Sequence, residues 1–314
     1  MIDLHCDTIL RICESRDAHQ VEASKSLQGL RTNDFHVDLE KLRKGGSLAQ
    51  TFALFVRKTE GKSSYETFLG MLDVFRDELA KNSDLVKQVL KPVRTDNQLL
   101  QAILSIEEGD VLEGRIDRVA EIASYGVRMI ALTWNFENAI GFPNSLDPQA
   151  MGKGLKDFGM QLIPEMEKHG IIVDVSHLSE GGFWDVARIS KRPFIASHSD
   201  CCALCEHPRN LLDEQIKAVA ESGGVIGLNF CSAFLCEGSR VTRIEDLVRH
   251  AMHLYQIGGS AVLALGTDFD GIESTLEIPD VSFMPVLRDA LHKAGMLESV
   301  LDAMWDGNAL RVLC

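Results

Sequence analysis

No stretch of the sequence is apolar for long enough to span a bilayer, and the opening Met1-Ile2-Asp3-Leu4-His5 carries none of the basic, apolar and small-residue succession of a secretory leader. The expectation is a cytoplasmic protein with no membrane partner. Positive charge is scarce as well: 32 Lys and Arg stand against 46 Asp and Glu, a formal charge of −14. Phosphate backbones are repelled by such a surface, so no nucleic-acid partner is expected. No linker interrupts the chain, and residues 1–314 read as one catalytic domain. A disulfide framework is not expected either. The eight cysteines, Cys6, Cys13, Cys201, Cys202, Cys205, Cys231, Cys236 and Cys314, lie in a long chain without a leader and read as reduced thiols. The spacing Cys201-Cys202-Ala203-Leu204-Cys205 suits zinc, but a structural zinc site needs a second ligand pair at matching distance, so free thiols around a loop are the simpler reading.

What the sequence does contain is apolar material, 45% of its residues, enough to bury a substantial core. Short runs rich in β-branched residues alternate with longer helical patterns, the mark of βαβ units in a parallel sheet. Strands are expected near Ile2–His5, Ala49–Phe55, Ala102–Ile106, Met129–Thr133, Ile171–Ser176, Phe194–Ser197, Val225–Phe230 and Val262–Gly266. Helices are expected at Ser64–Lys81, Gly114–Tyr125, Gly154–His169, Gly181–Arg188, Asp213–Ser222 and Ile244–Ile257, with further helical signals at Pro285–Ala294 and Leu297–Asn308. Phe68, Leu69, Leu72, Phe75 and Leu79 recur at helical spacing and predict a buried face. Gly126, Gly170, Gly223 and Gly258 fall where a helix C-cap needs a left-handed residue. Eight strands in this length fit a closed (β/α)8 TIM barrel, an α/β fold of the metal-dependent hydrolase type, better than an open doubly wound sheet.

In such a barrel the chemistry lies at the C-terminal ends of the strands. The first strand ends in His5-Cys6-Asp7, where alternation lets an imidazole and a carboxylate share a face. The third runs into Glu107-Glu108, the fifth into Ser176-His177, the sixth into Ser197-His198, and the eighth into Asp268-Phe269-Asp270. Taken singly, each is better explained by a surface carboxylate or a hydrogen-bonded core histidine. Together, three histidines and several carboxylates on one rim offer the N and O ligands that zinc takes, enough for two ions if a carboxylate bridges them. Spacing alone leaves open Glu107 against Glu108 and Asp268 against Asp270. His19, His36, His169, His207, His250, His253 and His292 lie mostly away from strand ends and are expected in surface or capping roles, His207 being the least settled.

At this point the sequence resembles a known family. Asp3-Leu4-His5-Cys6-Asp7-Thr8, His36-Val37-Asp38-Leu39, Ser105-Ile106-Glu107-Glu108-Gly109 and Leu132-Thr133-Trp134-Asn135 are similar to motifs of the renal (membrane) dipeptidase family, peptidase family M19. So are Asp174-Val175-Ser176-His177, Ser197-His198-Ser199, Pro208-Arg209-Asn210, Gly266-Thr267-Asp268-Phe269-Asp270-Gly271 and Gly307-Asn308-Ala309-Leu310-Arg311-Val312, all in family order. The resemblance implies an amidohydrolase-type barrel with two zinc ions per chain. His5 and Asp7 would hold one ion, His177 and His198 the other, and Glu107 would bridge them. It further implies that a metal-activated hydroxide attacks the amide of a dipeptide, that Asp268 carries the proton to the leaving amine, and that Arg209 receives the substrate's C-terminal carboxylate. A homodimer is also suggested by the resemblance, while tolerance of a D-residue at the C-terminal position is left open by the sequence.

Two positions depart from the animal members. Trp134 stands where a substrate-binding histidine follows the Leu-Thr pair, as in a microbial variant, and Asn135 or the indole N–H of Trp134 is expected to substitute. Cys231 follows Asn229-Phe230 where a tyrosine is expected. The membrane anchor of the animal proteins is not expected here. Arg209 points to a substrate carboxylate without requiring a free amino terminus, which keeps N-acyl-amino-acid or cyclic-amide hydrolysis as an alternative activity. A non-catalytic metal-dependent binding protein is the alternative of another class; its mark would be a missing ligand or a missing Asp268, and both are in place.

Overall fold

Seven parallel strands run side by side in the order Ile172–Asp174, Val127–Ala131, Leu100–Glu107, Ala49–Phe55, Ile2–Asp3, Leu263–Leu265 and Ile226–Leu228 in the computed structural model, which describes residues 1–22, 26–95 and 99–314. The eighth segment closes the ring by single bridges, Ile195 to Asp174 on one side and Ala196 to Ile226 on the other. The backbone ladder is continuous there: Val175 N donates to Ile195 O at 2.8 Å and Gly227 N to Ala196 O at 2.8 Å. The result is the expected (β/α)8 barrel, with its sixth strand, Phe194–Ser197, reduced to bridge pairs.

Packing divides as closure demands. One apolar cluster takes Ile2, Ala49, Ile103, Met129, Ile172, Ile195, Val225 and Ala264, one residue from each strand region, together with Leu4; Ala309 and Leu313 of the last helix plug it. This is the barrel lumen at its N-terminal end. A larger cluster holds the alternate residues, such as Leu54, Ile106, Ile130, Val173 and Leu228, against the surrounding helices. Helix Ser64–Lys81 forms over the expected range, capped by Ser63, whose hydroxyl accepts from Glu66 N at 3.1 Å. Its stripe buries Phe68, Leu72, Phe75 and Leu79, with Leu69 half-buried.

The other helices match with shifted ends, two of them longer than expected at Glu180–Ile189 and Ile244–Gly258. Gly114–Tyr125 shortens to Arg118–Ser124 behind a 3₁₀ turn at Gly109–Leu112, and Gly154–His169 becomes Asp157–Lys168. Three of the expected caps, Gly126, Gly170 and Gly223, have positive φ; at the fourth the left-handed residue is Gly259, because the helix runs on through Gly258. Helix Thr8–Val21 was not signalled by any apolar stripe: only Thr8, Ile9 and Ile12 are buried. Short strands at Val86–Gln88, Val241–Thr242 and Thr275–Leu276 and a helix at Leu39–Lys44 were likewise unmarked. No helix of the described residues is long and apolar enough to cross a membrane.

Candidate metal and substrate site

The C-terminal rim is held in place by two buried aspartates that precede the histidines. Asp3 Oδ1 accepts from His5 N at 3.3 Å and Thr267 N at 2.9 Å, and its Oδ2 accepts from Thr267 Oγ1 at 2.7 Å, so one carboxylate joins the first and eighth strands. Asp174 does the same for the fifth and sixth: its Oδ1 accepts from Ser176 N and Ser197 N, both at 3.0 Å, and its Oδ2 from Ser197 Oγ at 2.5 Å. Each side-chain carboxylate satisfies amide groups that a strand end would otherwise leave unpaired.

On this frame His5, Asp7, Glu107, His177, His198 and Asp268 converge. Glu107 lies between two sets of groups. Its Oε2 is 3.4 Å from His5 Nε2, while its Oε1 is 3.0 Å from His177 Nε2 and 3.6 Å from His198 Nε2. His5 Nε2 is also 3.4 Å from Asp7 Oδ2 and 3.9 Å from Asp268 Oδ1. The residue after Asp270 must be glycine, since a Cβ at Gly271 would collide with the carboxylates of Asp7 and Asp268. His177 and Asp268 both adopt left-handed backbone, at φ of 67° and 60°, which for residues with side chains is strained by about 1 kcal/mol or more. At His177 the conformation is held by three donors to its carbonyl: Asn144 N at 2.7 Å, Asn144 Nδ2 at 3.0 Å and Thr133 Oγ1 at 3.2 Å.

The electrostatics favour a cation. Burial opposes ionisation of Glu107, yet His5 and His177 hold its carboxyl well below the usual range. Burial likewise opposes a charged His5, but Glu107 and Asp7 raise it well above an ordinary histidine. Asp7 is pushed up to about 6 by burial and by Glu107, and Asp268 up to about 7 by burial, with His5 opposing and Asp7 adding. His177 falls to about 4 through burial and the nearby Arg209, and burial holds His198 well below its usual value. The donor set fits divalent metal. His5 Nε2 and Asp7 Oδ1 are buried without a hydrogen-bond partner, and His5 groups with Glu107 and His198 on one side and with Asp7 and Asp268 on the other at metal-ligating separations. The remaining nitrogens are committed: His198 Nδ1 is 2.7 Å from Ser197 Oγ, and His177 Nδ1 is 3.2 Å from Asn135 Oδ1.

Beside the histidines opens a cavity of about 440 Å³ lined in part by Asn135, Asn144, Leu146, His177, His207 and Arg209. Arg209 is buried and has no ion pair among the described residues; it donates to His198 O at 3.1 Å and Ser199 Oγ at 3.4 Å, and its Nε has no partner. Trp134 stands on the same rim, its ring 6.2 Å from that of His177 and 4.7 Å from Phe55. Its indole N–H makes no hydrogen bond among the described residues.

The neighbouring carboxylates that spacing left open have separate tasks. Glu108 turns away to accept from Trp134 N at 2.9 Å, Asn138 Nδ2 at 2.6 Å and Asp110 N at 2.9 Å, bracing the loop after the fourth strand. Asp270 accepts from Thr8 Oγ1 at 2.6 Å and His36 N at 2.7 Å. His36, half-buried, joins a loop to the rim, and its Nδ1 accepts from Asp270 N at 3.1 Å. The expected surface or capping role fails for His250, which is fully buried: its Nδ1 accepts from Cys201 N at 3.2 Å, and its Nε2 lies 3.0 Å from Leu235 O. His207 lines the cavity, stacked 4.5 Å from Phe234. Asn229, fully buried just past the seventh strand and donating to Asp268 Oδ2 at 3.1 Å, had no signal in the sequence beyond its place at a strand end. The cysteines form no disulfide, and no group of potential metal ligands among the described residues includes one.

Comparison with known proteins gives the family and the fold. A family model described as membrane dipeptidase (peptidase family M19) matches residues 1–314. An uncharacterized protein of Klebsiella pneumoniae is 38% identical over 227 residues, 69% of this chain and 83% of its own length. An uncharacterized dipeptidase of Schizosaccharomyces pombe is 29% identical over 297 residues, 88% of this chain and 71% of its own. Among solved structures, a metallopeptidase of family M19, dipeptidase AC, superposes with a TM-score of 0.88 at 26% identity, covering 99% of this chain and 97% of its own. A metallopeptidase from Rhodobacter sphaeroides liganded with a phosphinate mimic of the dipeptide L-Ala-D-Ala gives 0.86 at 26% identity, with the same coverage.

Proposed function

The chain belongs to the membrane dipeptidase family, peptidase family M19, and from that premise we propose that this metallodipeptidase cuts dipeptides with two zinc ions held by His5, Asp7, Glu107, His177 and His198. The observation that carries the two-ion reading is the division of Glu107, one oxygen toward His5 and the other toward His177 and His198. His5, Asp7 and Glu107 Oε2 would serve one ion; His177, His198 and Glu107 Oε1 the other. When bound, zinc at these positions supplies the Lewis acidity that activates water and polarises the scissile carbonyl.

The chain's own groups do the rest. Asp268, whose Oδ1 faces His5, takes the proton from the attacking water and delivers it to the departing amine. Arg209 receives the C-terminal carboxylate of the substrate, which supplies the anion that this buried guanidinium lacks among its neighbours. Asn135, with its oxygen on His177 Nδ1, keeps its amide N–H groups for the substrate, and Trp134 offers its indole N–H on the same rim.

Acceptance of a D-residue at the C-terminal position is part of the proposal, supported by the Rhodobacter sphaeroides relative and its L-Ala-D-Ala mimic. The whole chain is taken as one catalytic barrel. The cytoplasm is its proposed location, where eight free thiols suit a reducing compartment. Metal analysis of zinc-reconstituted protein, followed by a library of L,L and L,D dipeptides beside N-acyl-amino acids, tests the reading. Two zinc ions and hydrolysis of free dipeptides are expected. No tightly bound metal, or cleavage of acyl-amino acids without dipeptides, overturns it.

A further inference from the structure

We propose that Asn229 is a positioning residue for Asp268: it holds one carboxylate oxygen so that the other is the one presented for proton exchange. The inference rests on the proton-transfer role given to Asp268 above.

Asn229 sits one residue beyond the seventh strand, Ile226–Leu228, and none of its surface is exposed. Its backbone N–H and both ends of its side-chain amide are used. Its N donates to Asp200 Oδ1 at 3.2 Å, its Oδ1 accepts from Cys231 N at 2.6 Å, and its Nδ2 donates to Asp268 Oδ2 at 3.1 Å and, more weakly, to His198 O at 3.5 Å. The orientation of the amide is not arbitrary. Cys231 N is a backbone donor and needs an acceptor, so the oxygen must face it and the nitrogen must face Asp268.

Asp268 depends on that contact. Asn229 is the only side chain among the described residues that hydrogen-bonds its carboxylate; Oδ1 is left 3.9 Å from His5 Nε2, on the side of the metal ligands. The terminal torsion of an aspartate is broad and two-fold. Without a fixed donor, either oxygen could face the ligands and neither would be held there. A neutral amide fixes the rotation and adds no charge to a crowded acidic site. Through the same nitrogen and its two neighbours, Asn229 ties the ends of the sixth, seventh and eighth strands to one point.

The competing explanation is that Asn229 only caps the turn at Cys231. Asn229→Asp separates the two, because an aspartate of the same shape still accepts from Cys231 N but no longer donates to Asp268. Asn229→Ala removes both bonds. Each is made in zinc-loaded protein, alone and with Asp268→Asn, and kcat, KM and zinc content are measured on one preparation. The expected result is that both Asn229 variants lose about tenfold or more in kcat, with KM and zinc content retained. In the Asp268→Asn background, adding Asn229→Asp should change kcat by less than about twofold, since the group it positions is already gone. A kcat of Asn229→Asp close to wild type, an equal loss in both backgrounds, a change confined to KM, or a loss explained by missing zinc overturns the inference. Failure of the underlying reading looks different: Asp268→Asn itself would turn over normally while fully metallated, and the inference would fall with it.

Discussion

His177 and His198 bring their Nε2 atoms to within 3.0 Å of each other. Both imidazoles have their other nitrogen engaged. With Asn135 Oδ1 accepting from His177 Nδ1, and Ser197 Oγ accepting from His198 Nδ1 while it donates to Asp174, both protons sit on Nδ1. Two lone pairs then face each other beside the carboxylate of Glu107. Such a pair repels unless a cation lies against both nitrogens, so the partners behind the rings prepare them as metal ligands.

Ser197→Ala tests that preparation without touching a ligand. The variant leaves His198 Nδ1 and Asp174 Oδ2 without their shared hydroxyl, and the ring loses the contact that fixes its tautomer. Zinc affinity, measured by competition with a chelator, is expected to fall by roughly tenfold to a hundredfold. Unchanged affinity would mean that the Ser197 hydroxyl serves the strand ends alone.

The strand ends were legible in the sequence because two features coincide there. Apolar runs such as Ile103–Ile106 end abruptly in ionisable residues, and a barrel has only one rim where those residues can meet. What could not be read was the assignment within pairs. Glu107 and Glu108 differ by one position, and the direction of each is set by Trp134 N, Asn138 and Asp110, which come from the following loops. Asp268 and Asp270 are separated in the same way by Thr8 and His36, far away in the chain. Helix Thr8–Val21 escaped because it is anchored by its first turns and carries no continuous apolar stripe. The role of His250 is hidden in the sequence because nothing in its helix shows that a backbone N–H from Cys201 awaits its ring.

His250 makes stability depend on pH. Burial holds its folded pKa down at about 4, against 6.5 for an ordinary histidine. Between those values the unfolded chain binds a proton that the folded protein refuses, so this group's contribution is lost as pH falls from 6.5 toward 4. The full effect is about 3 kcal/mol. His250→Gln does not titrate there, and the difference in unfolding free energy between wild type and variant should shrink across that window. A difference independent of pH would show that His250 is charged or accessible in the folded state.

Arg209→Met should discriminate between substrates that differ at one group. A buried guanidinium is worth most when the ligand brings the opposite charge, so kcat/KM for dipeptides with a free C-terminal carboxylate is expected to drop on the order of a hundredfold. The corresponding dipeptide amides should change little. Equal loss on both would assign Arg209 to the structure of the loop through its bonds to His198 O and Ser199 Oγ.

Asp268→Asn sets function against stability. The amide keeps the shape of the carboxylate and can keep a partner in Asn229, but it takes no proton, so kcat should fall by on the order of a hundredfold or more with zinc retained. The stability of the metal-free protein should move the other way. Burial raises the folded pKa of Asp268 to about 7 from an ordinary 3.8, so between those values the folded protein retains a proton that the unfolded chain has released. Stability therefore declines as pH rises through that window, and above it wild type bears an ionised carboxylate in a site already holding Asp7 and Glu107. The variant is free of that burden, and at pH 8 its metal-free form should unfold at a temperature equal to or above that of wild type. The opposite assignment makes opposite demands. If Asp268 were chiefly a metal ligand, zinc content would fall with activity; if it were a structural acceptor, the metal-free variant would melt earlier. Turnover near wild type in a fully metallated variant would remove Asp268 from proton transfer altogether.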